Sequence, residues 1–312
     1  ATETVQEIQV VRGAASLQYG TQFGGLLNFV MREPEKDKKL ALTIRQSVGS
    51  FGFYNGFISA SGTNKKVSYY SFVQYKTGQG WRPNSQFDNV NAYANINYQL
   101  SESSKLGLDY THTSYLAQQP GGLSDDQFAT NARQSNRSRN WFSVNWNLFA
   151  LHLDHKFNES NSINLRVFGL LANRFSVGFR PNRVETVDDG SERDLIKGYF
   201  KNIGAEARYL KRYSIGKYSN VLLAGVRYYY GFNHSQQGLG SRSANADFNF
   251  VEPDKFITYD YRFPNKNTSL FAENVFYVSN KVSITPGLRA EYIDTKANGY
   301  YGSISRDLAG NI

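Results

Sequence analysis

Segments in which polar and apolar residues alternate recur from about Leu40 to about Lys296, and they constrain the fold more than any other feature. The clearest segment is Lys281–Thr295, in which apolar side chains occupy every second position between Val282 and Tyr292. Because successive side chains of a β-strand point to opposite faces, each such segment has one apolar and one polar face. The chain is therefore predicted to form strands that separate two environments.

Eleven candidate strands follow this pattern, and tight turns alternate with longer loops between them. In outer-membrane barrels, short turns face the periplasm and long loops face the exterior. The loops expected outside are Gly78–Phe87, Leu116–Asn140, Gly178–Lys197 and His234–Asn265. The predicted strands are Leu40–Gly49, Phe53–Gly62, Val67–Thr77, Asp88–Leu100, Lys105–Tyr115, Trp141–Phe157, Asn161–Val177, Tyr199–Tyr213, Ser219–Asn233, Lys266–Val278 and Lys281–Thr295.

The composition fits an all-β, antiparallel transmembrane β-barrel. A membrane helix needs about 20 predominantly apolar residues in succession, whereas the longest apolar runs here are of the type Val221–Val226. The mean hydropathy of −0.52 is low because a barrel strand turns only every second residue to lipid. The 22 Tyr and 22 Phe suit interfacial aromatic girdles, although aromatic packing in a soluble β-sandwich is the alternative.

The strand count predicts that the chain is a fragment of a larger barrel. Bacterial single-chain barrels have even strand numbers, and eleven is odd. An open sheet edge in lipid would leave unpaired backbone groups, at a cost of several kcal/mol for each group.

The charge balance does not favour nucleic-acid binding. The 35 Lys and Arg residues exceed the 26 Asp and Glu residues, but they are dispersed through the chain rather than gathered in one stripe. A cationic lumen that attracts anionic ligands accounts for the same excess.

Catalytic and metal-binding patterns are weak, and the chain is predicted not to be an enzyme. His152 and His155 flank Asp154, but residues three apart in a strand point to opposite faces and cannot chelate one ion. The acidic pairs Asp125-Asp126 and Asp188-Asp189 are interpreted as solvated loop turns rather than Ca²⁺ sites.

Before the first predicted strand, residues Val11–Val30 read VRGAASLQYGTQFGGLLNFV. This segment resembles the end of the plug domain in TonB-dependent outer-membrane receptors. Within that family, Gln18–Arg32 is similar to the ferric dicitrate receptor branch, which has a Tyr-Gly-Pro-Gln element followed by Gly-Gly and Asn-Phe-Val. Thr21 stands where that branch has proline. A second match is Pro120–Ser124, followed by acidic residues and Arg-Gln-Ser.

The resemblance implies a plug inside a barrel of about 22 strands. Residues 1–36 would then be the C-terminal part of the plug, and residues 37–312 the N-terminal half of the barrel. It also implies a TonB-type energy-coupling partner, which would bind a segment that precedes residue 1.

The resemblance assigns roles to four residues, Arg12, Gln22, Arg180 and Arg183. Arg12 matches an arginine of the lock between plug and barrel wall, and Glu273 and Glu291 are available as carboxylate partners within this chain.

Ligand binding is assigned to Arg183 and Arg180, which match a basic element used in citrate contact, and to Gln22 at the plug apex. A further family arginine is replaced around Asn202–Gly204, which departs from the citrate receptor pattern.

The resulting hypothesis is a TonB-dependent transporter in the bacterial outer membrane, in contact with its lipid, that takes up ferric citrate or a similar anionic siderophore. Iron would arrive as chelated cargo, so no resident cofactor is expected. Two alternatives stay open. One is a receptor for cobalamin, or for an oligosaccharide with a surface lipoprotein. The other is a structural barrel subunit of a larger envelope or secretion assembly.

Overall fold

The structure is a computed structural model that describes residues 2–11, 16–20, 24–253 and 257–302. Its first part is a small two-stranded antiparallel sheet of β1 (Val5–Val11) and β2 (Leu26–Met31). Single 3-10 turns lie at Thr2–Thr4 and Leu17–Tyr19. β1 ends where the plug-like motif Val11–Val30 begins, and β2 contains the last five residues of that motif.

A much larger antiparallel sheet contains the remaining strands. From β3 to β12, each strand pairs with the next one in the chain, and β12 also pairs with three shorter strands, β13, β14 and β15. The strands are β3 (Ala41–Gly49), β4 (Phe53–Asn64), β5 (Val67–Gly78), β6 (Phe87–Ser101), β7 (Ser104–Gln118), β8 (Trp141–Asn158), β9 (Asn161–Gly178), β10 (Arg193–Ile215), β11 (Tyr218–Gly240), β12 (Ile257–Tyr277), β13 (Ser283–Ile284), β14 (Gly287–Thr295) and β15 (Asn298–Tyr301).

This topology confirms the predicted all-β fold class. Within the described ranges, no pairing joins β3 to the strands at the other end, so the sheet is open. The eleventh predicted strand is divided, because Pro286 lies between β13 and β14 and has no N–H to donate. Its carbonyl oxygen still accepts a hydrogen bond from Asn274 N at 2.9 Å.

The register assigns the two faces of the large sheet. One face carries the buried aromatic cluster of Phe57, Tyr70 and Phe72, which packs against Met31 of the small sheet. We call this the inner face. The opposite, outer face exposes apolar side chains: Val226 and Leu270 are directly paired and remain 42% and 60% exposed. Apolar residues that face outwards are expected where a wall contacts lipid.

Three strands are longer than the sequence predicted, and each is extended at the end that leads into a long loop. β10 begins at Arg193, β11 continues to Gly240 and β12 begins at Ile257, so the predicted loops Gly178–Lys197 and His234–Asn265 are partly strand.

Polar cross-strand contacts explain why alternation missed these extensions. Gln237 Nε2 donates to Asp194 Oδ1 at 2.8 Å, and Gln236 Nε2 donates to Asp260 Oδ2 at 2.9 Å. Strands that are polar on both faces carry no apolar periodicity to detect.

The loop between β7 and β8 contains a short helix, α1 (Asp125–Asn131), where the sequence predicted only a turn. Ser124 and Gln127 form a reciprocal capping box, with Gln127 Oε1 accepting from Ser124 N at 3.1 Å. No helix in the described part of the chain combines the length and apolar character needed to cross a membrane.

Candidate functional site

A cluster of hydrogen bonds fixes the segment after residue 15 to the inner face of the large sheet. Glu273 of β12 accepts hydrogen bonds from Ser16 Oγ and, at 3.0 Å, from Leu17 N. Arg289 of β14 donates from Nη1 to Leu17 O at 2.8 Å. We call these four residues the inner-wall clamp. The clamp holds both the amide and the carbonyl of Leu17, so it fixes the backbone of the plug-like segment.

Arg289 is held in place before it reaches Leu17. Its Nε donates to Glu291 Oε1 at 2.5 Å and its Nη2 donates to Ser269 Oγ at 2.9 Å. The guanidinium also lies over the Phe271 ring, 5.5 Å from the ring centroid. Its orientation is therefore set by the wall.

The two carboxylates that the sequence offered as lock partners, Glu273 and Glu291, make different contacts. Glu273 contacts the plug-like segment, whereas Glu291 contacts Arg289. Arg12 lies outside the described residues, so its lock role stays a prediction. Arg289 was not identified from the sequence, where it is one of many polar residues on an alternating strand.

A row of charged residues crosses the inner face in register. His152 pairs with Arg166, Arg166 with Glu206, and Glu206 with Arg227 on four successive strands. Glu206 is buried and forms ion pairs with Arg208 and Arg227, the latter at 4.0 Å. These arginines line a recess of about 460 Å³. The recess offers an anion the guanidinium groups of three arginines, and the carboxylates of Glu206 and Asp109 also line it.

The two histidines of β8 point to opposite faces, as predicted. His152 Nδ1 lies 3.3 Å from Asp109 Oδ2 on the inner face, whereas His155 Nδ1 lies 2.8 Å from Ser104 Oγ. Among the residues that the structure describes, no group of three His, Cys, Asp or Glu side chains could hold a metal ion.

We call the large sheet the wall, and we call the end of the wall at which the long loops lie its outer end. At this end, arginines connect four successive loops, residues 79–86, 119–140, 179–192 and 241–253. Arg193 is 0% exposed and donates to three carbonyl oxygens: Arg139 O at 2.9 Å, Asn245 O at 2.8 Å and Ser241 O at 2.8 Å. A guanidinium presents five donors in a rigid fork, which suits it to joining several chain segments.

Arg139 continues this connection. Its Nε donates to Asp188 Oδ2 at 2.9 Å, and its Nη2 contacts the other carboxylate oxygen of Asp188. Its Nη1 donates to Ser191 O at 3.0 Å and to Arg242 O at 2.9 Å. One side chain thus joins three of the loops through a bidentate ion pair and two carbonyls.

Two further arginines complete the set. Arg137 donates to Val184 O and Thr186 O, both at 3.1 Å, and Arg82 donates to Gln134 O at 2.7 Å and Gly121 O at 2.8 Å. We call the four loops, with Arg82, Arg137, Arg139 and Arg193, the arginine-bridged loops. They form one connected layer rather than four independent loops.

The ion pair in this layer predicts a pH dependence. Hydrogen bonding from Arg139 lowers the pKa of Asp188 below its usual value. A carboxyl group with a lowered folded-state pKa contributes stability above its unfolded pKa of about 3.9, and that stability is lost as pH falls through the lower folded value. Hydrogen-exchange protection of residues 179–192 should therefore be constant from about pH 7 to 5 and fall below about pH 4. In Asp188→Asn, protection should be weaker and its acid dependence reduced. An equally steep acid loss in this variant would contradict the assignment.

The predicted ligand-binding residues Arg180 and Arg183 have different surroundings in the structure. Arg180 Nη1 lies 3.5 Å from Asp194 Oδ2, and Asp194 also accepts from Gln237. Arg183 lies on the exposed part of loop 179–192. Gln22 lies outside the described residues. Arg180 thus has an acidic partner, Asp194, on the inner face close to the long loops. Arg183 is exposed to solvent.

Comparisons with known proteins define the class of fold. No known family profile matches the chain. The chain is similar to the unliganded ferric citrate transporter FecA, with a TM-score of 0.78 and 20% identity over 95% of this chain and 44% of that one. For the ferripyoverdine receptor of the Pseudomonas aeruginosa outer membrane, bound to ferripyoverdine, the TM-score is 0.77 at 12% identity, over 96% of this chain and 43% of that one.

The ferric-catecholate import receptor Fiu from E. coli, in its open form, gives a TM-score of 0.74 at 11% identity, over 98% of this chain and 52% of that one. The chain therefore spans about half the length of the solved structures that it matches. Its fold is that of the TonB-dependent siderophore receptors, as the sequence predicted.

Proposed function

We propose that this chain is part of a TonB-dependent outer-membrane transporter that takes up an anionic ferric chelate, with ferric citrate as the first candidate. The observation that carries the proposal is the inner-wall clamp, which holds a plug-like segment against the inner face of a barrel-like wall. Residues 1–36 would be the end of the plug and residues 37–312 the first half of the barrel. A sheet boundary supports this division, because β2 ends at Met31 and β3 begins at Ala41.

The faces of the wall support an outer-membrane location. Apolar side chains are exposed on the outer face, whereas the inner face carries charged and polar side chains beside its buried aromatic cluster. An outer face that is apolar and an inner face that is largely polar are typical of a transmembrane barrel. A TonB-type protein would supply the energy for plug movement. The proposal includes no catalytic step.

The distribution of cations supports an anionic cargo. Arg183 is exposed on an outer loop and can donate two hydrogen bonds to a carboxylate. Arg180 would have to leave Asp194 before it could do the same. Deeper in the wall, the recess of Arg166, Arg208 and Arg227 would continue a cationic path along which an anion is attracted. Arg183 is therefore the stronger candidate for first contact with the chelate.

Arg183→Ala is expected to weaken binding of ferric citrate to the full-length receptor by about tenfold or more, since a hydrogen bond to a charged group contributes roughly 1.5–3 kcal/mol. Calorimetric titration measures this directly, with citrate alone and cobalamin as comparison ligands. Arg242→Ala is the matched control, because it removes an arginine from a neighbouring loop where the guanidinium already pairs with Glu192 at 2.7 Å.

Two results would count against these assignments. Equal affinities of Arg183→Ala and Arg242→Ala for ferric citrate would remove Arg183 from the binding site. Saturable binding of cobalamin or a glycan, with no response to iron chelates, would overturn the assignment of a ferric chelate as cargo. It would favour a receptor of the same fold for a different cargo.

A further inference from the structure

The outer face of β10, β11 and β12 changes from apolar to basic at one level. In one cross-strand row, Ala207, Val226 and Leu270 lie side by side and are apolar. Four residues further out along the strands, the row contains Ile203, Tyr230 and Lys266.

The following rows carry more cations. Lys201 pairs with Phe232, which pairs with Pro264, and Arg262 and Lys266 lie two positions to either side of Pro264. From strand spacing and rise, the Cα of Lys201 lies roughly 12 Å from those of Arg262 and Lys266. Lys201, Arg262, Lys266 and Lys296 are exposed, and we call them the cationic patch.

Two carboxylates lie near the patch, and one is engaged by groups outside the patch while the other pairs with Lys296 of the patch itself. Asp260 lies 2.7 Å from His234 Nε2 and accepts from Gln236, and Asp294, which is opposite Lys266 in register, lies 3.8 Å from Lys296 Nζ. Two carboxylates against four cations leave the patch with a positive excess.

Aromatic residues mark the level of the patch. Tyr228 and Tyr292 lie on the same face one row below Lys266, and both are exposed. Aromatic rings with a polar edge collect at the boundary between hydrocarbon and headgroups, and lysine and arginine extend their charged ends towards the headgroups. The apolar rows below and the cations above therefore fit the outer boundary of a bilayer.

We propose that the cationic patch binds the phosphate groups of a lipid in the outer leaflet. Lysine and arginine donate charge-assisted hydrogen bonds to phosphate oxygens, and a separation of roughly 12 Å suits a headgroup with more than one phosphate. The acyl chains of such a lipid would lie along the apolar rows that contain Val226 and Leu270. This continuity favours a lipid over a protein partner. The inference rests on the proposed function because it requires a wall in an outer membrane.

The test uses the full-length receptor in phosphatidylethanolamine nanodiscs that contain a small fraction of doubly phosphorylated lipid A. Native mass spectrometry then measures how much lipid A stays bound. Lys201→Gln combined with Lys266→Gln should reduce bound lipid A by at least tenfold. The matched control combines Lys211→Gln with Lys217→Gln, exposed cations at the other end of the same strands. The control should retain the wild-type amount, and dephosphorylated lipid A should bind weakly to every form.

Equal retention of lipid A by the patch variant and the control would overturn the inference, as would equal binding of dephosphorylated lipid A. Titration with ferric citrate on the same samples distinguishes this outcome from failure of the proposed function. Patch-dependent lipid binding without chelate binding would reject the cargo and support the lipid site. Chelate binding with patch-independent lipid retention would reject the lipid site alone.

Discussion

Arg139→Met is expected to destabilise the arginine-bridged loops by about 3–5 kcal/mol, because it leaves Asp188 as a largely buried carboxylate without its partner. The side chains of the two residues are only 9% and 14% exposed. The variant also loses the hydrogen bonds to Ser191 O and Arg242 O. Limited proteolysis of the full-length receptor should show much faster cleavage within residues 179–192 and 241–253, while the strands of the wall stay intact.

Arg242→Met provides the control for this experiment. Its ion pair with Glu192 involves side chains that are 68% and 32% exposed, and an exposed ion pair contributes only about 0–1 kcal/mol. Cleavage of this variant should therefore stay close to the wild-type rate. Equal cleavage rates in Arg139→Met and Arg242→Met would contradict the view that buried arginines hold the loops together.

Arg289→Ala is expected to release the inner-wall clamp. The variant loses the donor to Leu17 O and leaves Glu291 without its cation. Since a hydrogen bond from a charged group contributes roughly 1.5–3 kcal/mol, the detached population of the plug-like segment should rise about tenfold to a hundredfold. Cells that produce the full-length variant should become more sensitive to large antibiotics that the outer membrane normally excludes.

Arg227→Ala is the matched control for the clamp. Arg227 is also an inner-face arginine, but its ion-pair partner is Glu206 on the wall rather than the plug-like segment. Antibiotic sensitivity should therefore rise in Arg289→Ala and stay near wild type in Arg227→Ala. Wild-type sensitivity in both variants would show that the clamp does not retain the plug-like segment.

The strands of the large sheet could be predicted because apolar side chains occupy every second position along them and share the outer face. Along β14, for example, Leu288 and Ala290 alternate with Arg289 and Glu291, and the sheet places the two pairs on opposite faces. The outer extensions of β10 and β11 were missed since they are held by polar pairs such as Gln237 with Asp194. Alternation detects a strand only where its two faces meet different environments.

The sites were harder to predict than the strands. Glu273 could be proposed from the sequence as a possible partner of Arg12. Arg289 could not be paired with Leu17, because they are 272 positions apart and only the folded sheet brings them together. The arginines of the outer loops bind mainly carbonyl oxygens, which every residue carries, so no residue pattern marks their partners. Arg139 illustrates this point, because Ser191 and Arg242 contribute only their backbone to its contacts.

We propose that the complete protein transports a ferric chelate with energy from a TonB-type partner. Uptake of radioactive iron supplied as ferric citrate, by cells that carry the full-length receptor with or without that partner, tests it most directly. We expect saturable iron accumulation that requires both the receptor and the energy-coupling protein, while binding at the cell surface persists without the partner. Iron accumulation that is the same in cells lacking the receptor, or the same without the energy-coupling protein, would contradict the claim.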